Sequence, residues 1–564
     1  MRIWIVGLLL AVAIPGTTHA ENHDEDNWPM YGRNLHHTFS NATSHINPGN
    51  VATLQQKWTY VTGDAVSASP TVVDGVVYIG SWDGFFYAID ASTGTLRWKF
   101  QVDCQNSIVP VPKQCLAPGQ SPPPRFFSDG GLITSSAAVD KGKVYFAAGK
   151  TLYSLNARDG TIRWKQIVCG NPQDANCASD TNDPTRVFSS PALFEHAIFV
   201  GWTADGTVGY RGAIAAFDSE TGRMLWRFEV DPILSASGQP LIVNGRIAGG
   251  QNRGCGSVWS SAAIDREHHL VFFGTGDCQD DATAPYHEAI LALDTRTGQL
   301  KWAFRPRTSD PHKCDFDFGA SANLIDTDEG HYVGVGGKDG TYYLLDRVTS
   351  NPSGQLVWFR NVVFGGMSGG FYGAAAVNGS QIFSATAIGD GTLATQSGLC
   401  NPSNPRDTFI EEPSVHALDV GSGGILWEQT MNYSVAPTTM ADRVVFSGTA
   451  GALFPPALNA YDARSGALLA SFPMSGSVNS GATPVGDLIF VGSGNSTDGS
   501  GGGVSALSLP VTAEGGGRPD FPSQPSSRGA QDQALQSLDQ LRRAAAYREL
   551  AAFKQSLPHA DRRQ

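Results

Sequence analysis

The sequence predicts an all-β chain closed into an eight-bladed β-propeller. Three observations carry that reading: one antiparallel meander recurs eight times, a tryptophan recurs at the same place in six copies, and the composition is turn-rich. The chain has 564 residues with 65 Gly, 32 Pro and 10% aromatics, and only 16% are charged, against about 25% in a typical soluble domain. Disorder and collagen are excluded for most of the chain, because neither couples so many aromatics to scattered glycines. The net charge of −13 has the wrong sign for a phosphate-binding surface, so nucleic acid is excluded as a partner.

From the N-terminus, Arg2, the apolar run Ile3 to Ile14 and the small-residue exit Thr18-His19-Ala20 form a secretion signal over residues 1–20. Pro15-Gly16 cuts the run short of the roughly 20 residues a membrane span needs, and no second span follows, so the mature chain is expected to be periplasmic or secreted. Its eight cysteines, at 104, 115, 169, 177, 255, 278, 314 and 400, are expected to form disulfides in that compartment. Cys104 with Cys115 and Cys169 with Cys177 suit local staples, although spacing fixes no connectivity. No CxxCH occurs, so covalent haem is not expected.

Residues 21–508 carry the repeats. From Ser69 the chain reads SPTVVDGVVYIGSWDGFFYAIDASTGTLRWKF. Asp-Gly between apolar runs is a hairpin signal, because both turn positions must accept positive φ. The same order recurs in seven further copies. Trp98, Trp164, Trp226, Trp302, Trp358 and Trp427 close six of them, Ala470 stands in for tryptophan in the seventh, and the eighth ends early. A single meander buries only one face at a time, so the copies must stack, and radial closure protects their edges. The tryptophans are expected to pack between blades. Residues 509–531, rich in Gly, Pro and Ser, read as a linker. In 532–564, Leu535, Leu538, Leu541, Ala545 and Phe553 suggest one short amphipathic helix and a tail.

The repeat VYIGSWDGFFYAIDASTGTLRWKF resembles the quinoprotein repeat of pyrroloquinoline quinone (PQQ) dehydrogenases. The opening NWPMYGRNLHHTFSN at residues 27–41 is similar to the polyvinyl alcohol dehydrogenase-like branch of that family, and the resemblance covers about residues 27–508. It implies a periplasmic PQQ-dependent dehydrogenase oxidising alcohols, polymeric ones included, and passing electrons to an external acceptor such as a soluble cytochrome c. An acidic surface suits a basic acceptor. The other reading of the same repeats is a cofactor-free envelope propeller serving as a binding or assembly scaffold.

A quinone taking hydride from an alcohol needs a flat wall, a cation at its reactive carbonyl and a base for the hydroxyl proton. By resemblance, Trp259 in SVWSSAAID provides the indole floor, and Asp277 in GTGDCQD stands near a calcium ion. Asp317 in DFDFGA is the general base and a metal ligand, and Lys338 in GGKDG lies beside the quinone carbonyl. Ser189 in VFSSPAL is a candidate for bonding a cofactor carboxylate. Two departures stand out: Thr207 replaces a Glu metal ligand of related enzymes, with Asp205 nearby, and Ile133 occupies the place of an Arg for a cofactor carboxylate.

Overall fold

The computed structural model describes residues 27–510, apart from 104–132, 171–183, 204–209, 238–240, 244–245, 248–255, 279–284, 308–314, 364, 367–368, 388–412, 451–454 and 496–499. The expected signal sequence (1–20), the expected linker (509–531) from 511 on, the expected helix and tail (532–564), Asp205, Thr207 and six of the eight cysteines lie outside the described residues. The two inside, Cys169 and Cys278, are disulfide-bonded.

Eight antiparallel meanders form the eight blades. Their inner strands are Thr71–Val73, Ala138–Asp140, Ala192–Phe194, Ala263–Asp265, Asn323–Thr327, Ala376–Val377, Thr439–Ala441 and Thr483–Val485. Blades 1 to 7 each run inward to outward in chain order. Blade 8 does not: its outermost strand, Gln55–Val61, comes from the start of the repeats and pairs with Ser500–Ser508. The copy that ends early in the sequence is therefore completed from the other end of the chain, which closes the ring. Outside the blades, the described residues hold a short pair of strands, Ile242–Val243 with Arg246–Ile247, and one 3-10 turn, Val51–Thr53.

Two recurring kinds of hydrogen bond lock the seams. On the outside, the indole N–H of Trp98 donates to Ala157 O (3.0 Å) in the next blade, and Trp164, Trp226, Trp358 and Trp427 repeat the bond. Each of these rings also lies on the glycine of the turn joining the next blade's third and fourth strands. Gly298, at φ +69°, leaves room for Trp226, whose Cε3 would stand 2.5 Å from an added Cβ. Near the axis, serine hydroxyls accept N–H groups across the seams: Gly481 to Ser69, Ser69 to Ser136, Ser136 to Ser190, Ser190 to Ser261 and Ser261 to Ser321, all at 2.8 to 2.9 Å.

The segment NWPMYGRNLHHTFSN is a strap across one end of the ring. It exchanges backbone hydrogen bonds with Val72, then accepts from Val139, Ile264, Leu324, Val377 and Met440, in blades 1, 2, 4, 5, 6 and 7. Asn41 then reaches Pro484 O of blade 8. Its aromatic residues Tyr31, His37 and Phe39 pack edge to face, with centroids 4.9 to 5.8 Å apart. The strap thus covers the ends of the inner strands and leaves their beginnings, where Trp259 and Asp317 lie, at the other end of the ring.

Candidate active site

Blades 4 and 5 bring the site together from three kinds of loop. Trp259 precedes the inner strand of blade 4, Asp277 follows its second strand, Asp315 and Asp317 precede the inner strand of blade 5, and Lys338 sits in that blade's central turn. These loops are tied by their backbones. Gly276 N donates to Ser257 O (2.6 Å), Gly256 N to Asp277 O (2.9 Å), Phe318 N to Thr275 O (3.1 Å) and Lys338 N to Asp317 O (2.9 Å). A site held by adjacent blades is rigid because moving one loop breaks its neighbour's bonds.

Asp317 is the centre. Its Oδ1 accepts the backbone N–H of Asp277 at 2.7 Å, and its Oδ2 accepts the Trp259 indole N–H at 3.1 Å. The Lys338 ammonium stands 3.5 Å from the same Oδ2 and 2.7 Å from Asp315 Oδ1. One carboxylate oxygen from each of Asp277, Asp315 and Asp317 falls within 4.8 Å of the others. Asp317 and Lys338 are buried, so the charges act in a poorly screened environment. Burial and the adjacent Asp317 charge push the Asp315 carboxyl well above the usual carboxylate range, against the pull of Lys338. Burial disfavours the Lys338 ammonium, but Asp317, Tyr372 and Asp315 outweigh it and raise the group above its ordinary value.

The indole of Trp259 lies over Gly319, where an added Cβ would stand 1.7 Å from Cη2. Only glycine leaves that space. Tyr372 borders the ring, with centroids 5.8 Å apart and planes at 43°, and its own ring lies 5.6 Å from Lys338 Nζ. Burial raises the phenol of Tyr372, and burial pushes that of Tyr433 up to about 12. Both stay neutral near neutral pH.

Trp259, Asp277, Asp317 and Lys338 are therefore neighbours, as the motifs imply. Ser189 stands apart at the start of blade 3, fully buried, its hydroxyl without a partner among the described residues. At the same register Ser135, Ser260 and Ser480 bond the second strand of their own blade. Ile133 is buried in the seam between blades 1 and 2, against Gly80, as Val258 is against Gly201. Its position faces the core, and the register that Trp259 holds in blade 4 belongs in blade 2 to Thr134.

Three residues of the site escape sequence reasoning. Asp315, two before Asp317 in the same motif, takes φ +58°, a left-handed conformation that turns its carboxylate to Lys338. Tyr372 occupies in blade 6 the register of Trp259 in blade 4, a signal that aligning the repeats at FYGAAA and VWSSAA exposes. Glu288, buried and itself at φ +45°, accepts the Phe316 N–H at 2.9 Å and so fixes the peptide between the two aspartates.

The family model described as "PQQ: Glucose/ethanol/alcohol dehydrogenase, beta-propeller domain" matches residues 28–358. The chain belongs to that family. Polyvinylalcohol dehydrogenase of Pseudomonas sp is 25% identical over 425 residues, 71% of this chain and 59% of the relative. The dehydrogenase subunit of a quinone alcohol dehydrogenase from Gluconacetobacter polyoxogenes is 26% identical over 376 residues, 61% of this chain and 47% of the relative. The chain thus spans about half to three fifths of the length of these curated relatives. Quinohemoprotein alcohol dehydrogenase from Comamonas testosteroni shares the fold, with a TM-score of 0.65 at 20% identity, covering 90% of this chain and 84% of that one. As a member of the PQQ dehydrogenase propellers, the chain has donors that fit the family's groups: three oxygen ligands for a hard cation and a half-buried indole for a flat ring.

Proposed function

We propose that the protein is a PQQ-dependent alcohol dehydrogenase whose site is the cluster around Asp317. The observation that carries this is the convergence of three carboxylates, one ammonium and one indole on adjacent blades, a set that blade stacking does not require. Buried carboxylates held this close repel one another and are costly unless compensated. One lysine offsets one charge, and a divalent cation held by Asp277, Asp315 and Asp317 offsets the rest.

When bound, PQQ supplies the two-electron acceptor for the hydride of the alcohol carbon. The chain does the remainder. Trp259 and Tyr372 wall the site and exclude water. Asp317 takes the hydroxyl proton at a carboxylate oxygen, held in place by the Asp277 N–H and the Trp259 indole. Lys338 keeps its charge inside the site and stabilises negative charge developing on oxygen. Calcium is the expected cation from the all-oxygen donor set. Primary or secondary alcohols are the substrate class, polymeric ones included, in keeping with the polyvinylalcohol dehydrogenases among the relatives. The acidic surface suits a basic soluble cytochrome c as electron acceptor in the periplasm.

Reconstitution tests the reading. The mature chain loaded with PQQ and calcium should reduce an artificial dye when given short alcohols or polyvinyl alcohol. A flat trace across the series, with PQQ unbound in its absorption spectrum, would favour the scaffold instead.

A further inference from the structure

The far end of the ring carries a second cluster of titratable groups. Arg347, buried between blades 4 and 5, bridges two carboxylates: Nε lies 2.8 Å from Asp265 Oδ2 and Nη2 2.6 Å from Asp326 Oδ1. Each carboxylate also holds a histidine by its Nδ1. His268 Nδ1 is 2.8 Å from Asp265 Oδ2 and His331 Nδ1 is 2.7 Å from Asp326 Oδ1. The pairings are built in: Asp265 and His268 share one tight turn, with the His268 N–H donating to Asp265 Oδ1 at 3.0 Å, and Asp326 faces His331 across a strand pair. His36, from the strap, sits 3.4 Å from the second oxygen of Asp326.

An ionised carboxylate only accepts hydrogen bonds, so each imidazole donates its Nδ1–H to its aspartate; for His331 the aspartate at 2.7 Å prevails over the donor-only guanidinium of Arg347, 3.4 Å from the same nitrogen. That fixes the tautomer and leaves the lone pair on Nε2. No hydrogen bond engages Nε2 of His268 or His331 among the described residues, and the side chains are 30% and 48% exposed. The two rings are 5.9 Å apart, centroid to centroid. With a metal to nitrogen distance of about 2.0 to 2.1 Å, an ion shared by two Nε2 atoms stands about 3.2 Å from each ring centre, so centroids of bridged rings lie roughly 5 to 6.4 Å apart.

We propose that His268 and His331 form a metal site for a borderline divalent cation such as zinc, with water completing its coordination. A carboxylate behind each imidazole is the arrangement that orients and strengthens a histidine ligand. The donors differ in kind from the hard oxygen set around Asp317, and the sites lie at opposite ends of the blade 5 inner strand, so neither substitutes for the other.

Calorimetry on the full chain tests this. After chelation and saturation with calcium, zinc should bind with one saturable equivalent. His268→Ala and His331→Ala, at side chains 30% and 48% exposed, should each weaken it at least about tenfold and together abolish it, while Asp265→Asn should weaken it about 10- to 100-fold. Absence of saturable binding by the unaltered chain overturns the proposal. So does binding that survives the double histidine variant and disappears in Asp317→Asn, which would put the zinc among the three carboxylates.

Discussion

The acid at the centre of the cluster is a single side chain whose surroundings separate binding from chemistry. Asp317→Asn keeps an oxygen for the Asp277 N–H (2.7 Å in the parent) and changes little in shape, but it removes the proposed proton acceptor. We expect turnover to fall about 10²- to 10⁴-fold, the span that general-base groups contribute, with PQQ retention followed by its absorption nearly unchanged. An equal loss of both would refute the role of base. Asp317, Lys338, Trp259 and Asp277 were legible because each stands in a motif whose neighbours are diagnostic. Asp315 was not, since its participation depends on a left-handed backbone conformation (φ +58°) that no local pattern announces for an aspartate. Nor was Glu288, whose partner is a backbone N–H 28 residues away.

At the scale of the blade, the repeat and its tryptophans were legible because turn chemistry and periodicity are local. The closure of the ring was not, because the pairing of Gln55–Val61 with Ser500–Ser508 joins the two ends of the propeller. Trp58 belongs to that strand and repeats the lock of the five described above: its indole N–H donates to Ala91 O at 3.0 Å, and its ring covers Gly94. The same topology explains Ala470. Each locking tryptophan covers a glycine in the turn between the next blade's third and fourth strands, and in blade 8 those strands come from opposite ends of the repeats, so a tryptophan at 470 would have no turn to cover. Trp58→Ala should therefore cost about 3 kcal/mol, at the lower end for a buried tryptophan because the ring is only half-buried. It should appear as a lower urea midpoint, whereas Ala470→Trp should yield no comparable gain. A midpoint unmoved by Trp58→Ala would show that the ring is closed by strand pairing alone.

Acid stability is set by the whole molecule, because the strap and the blades each bury a histidine. His37 of the strap and His416 of blade 6 are fully buried, and burial pushes both imidazoles from 6.5 down to about 3. Between those values the unfolded chain binds more protons than the folded one, so stability is complete above pH 6.5 and falls as the pH drops toward 3. At about 1.4 kcal/mol per pH unit for each group, the pair withdraws on the order of 7 kcal/mol by pH 4. Asp315 works in the opposite sense, since its raised value favours the folded chain as acid neutralises it. The melting midpoint should therefore decline steadily from pH 6.5 to 4. In a His37→Gln, His416→Gln double variant the midpoint should start lower, because an amide replaces a neutral ring in a tight core, yet depend on pH far less. A slope as steep as that of the parent would assign the acid sensitivity to other groups, and the strap with its buried histidine would then be neutral in the response of the ring to acid.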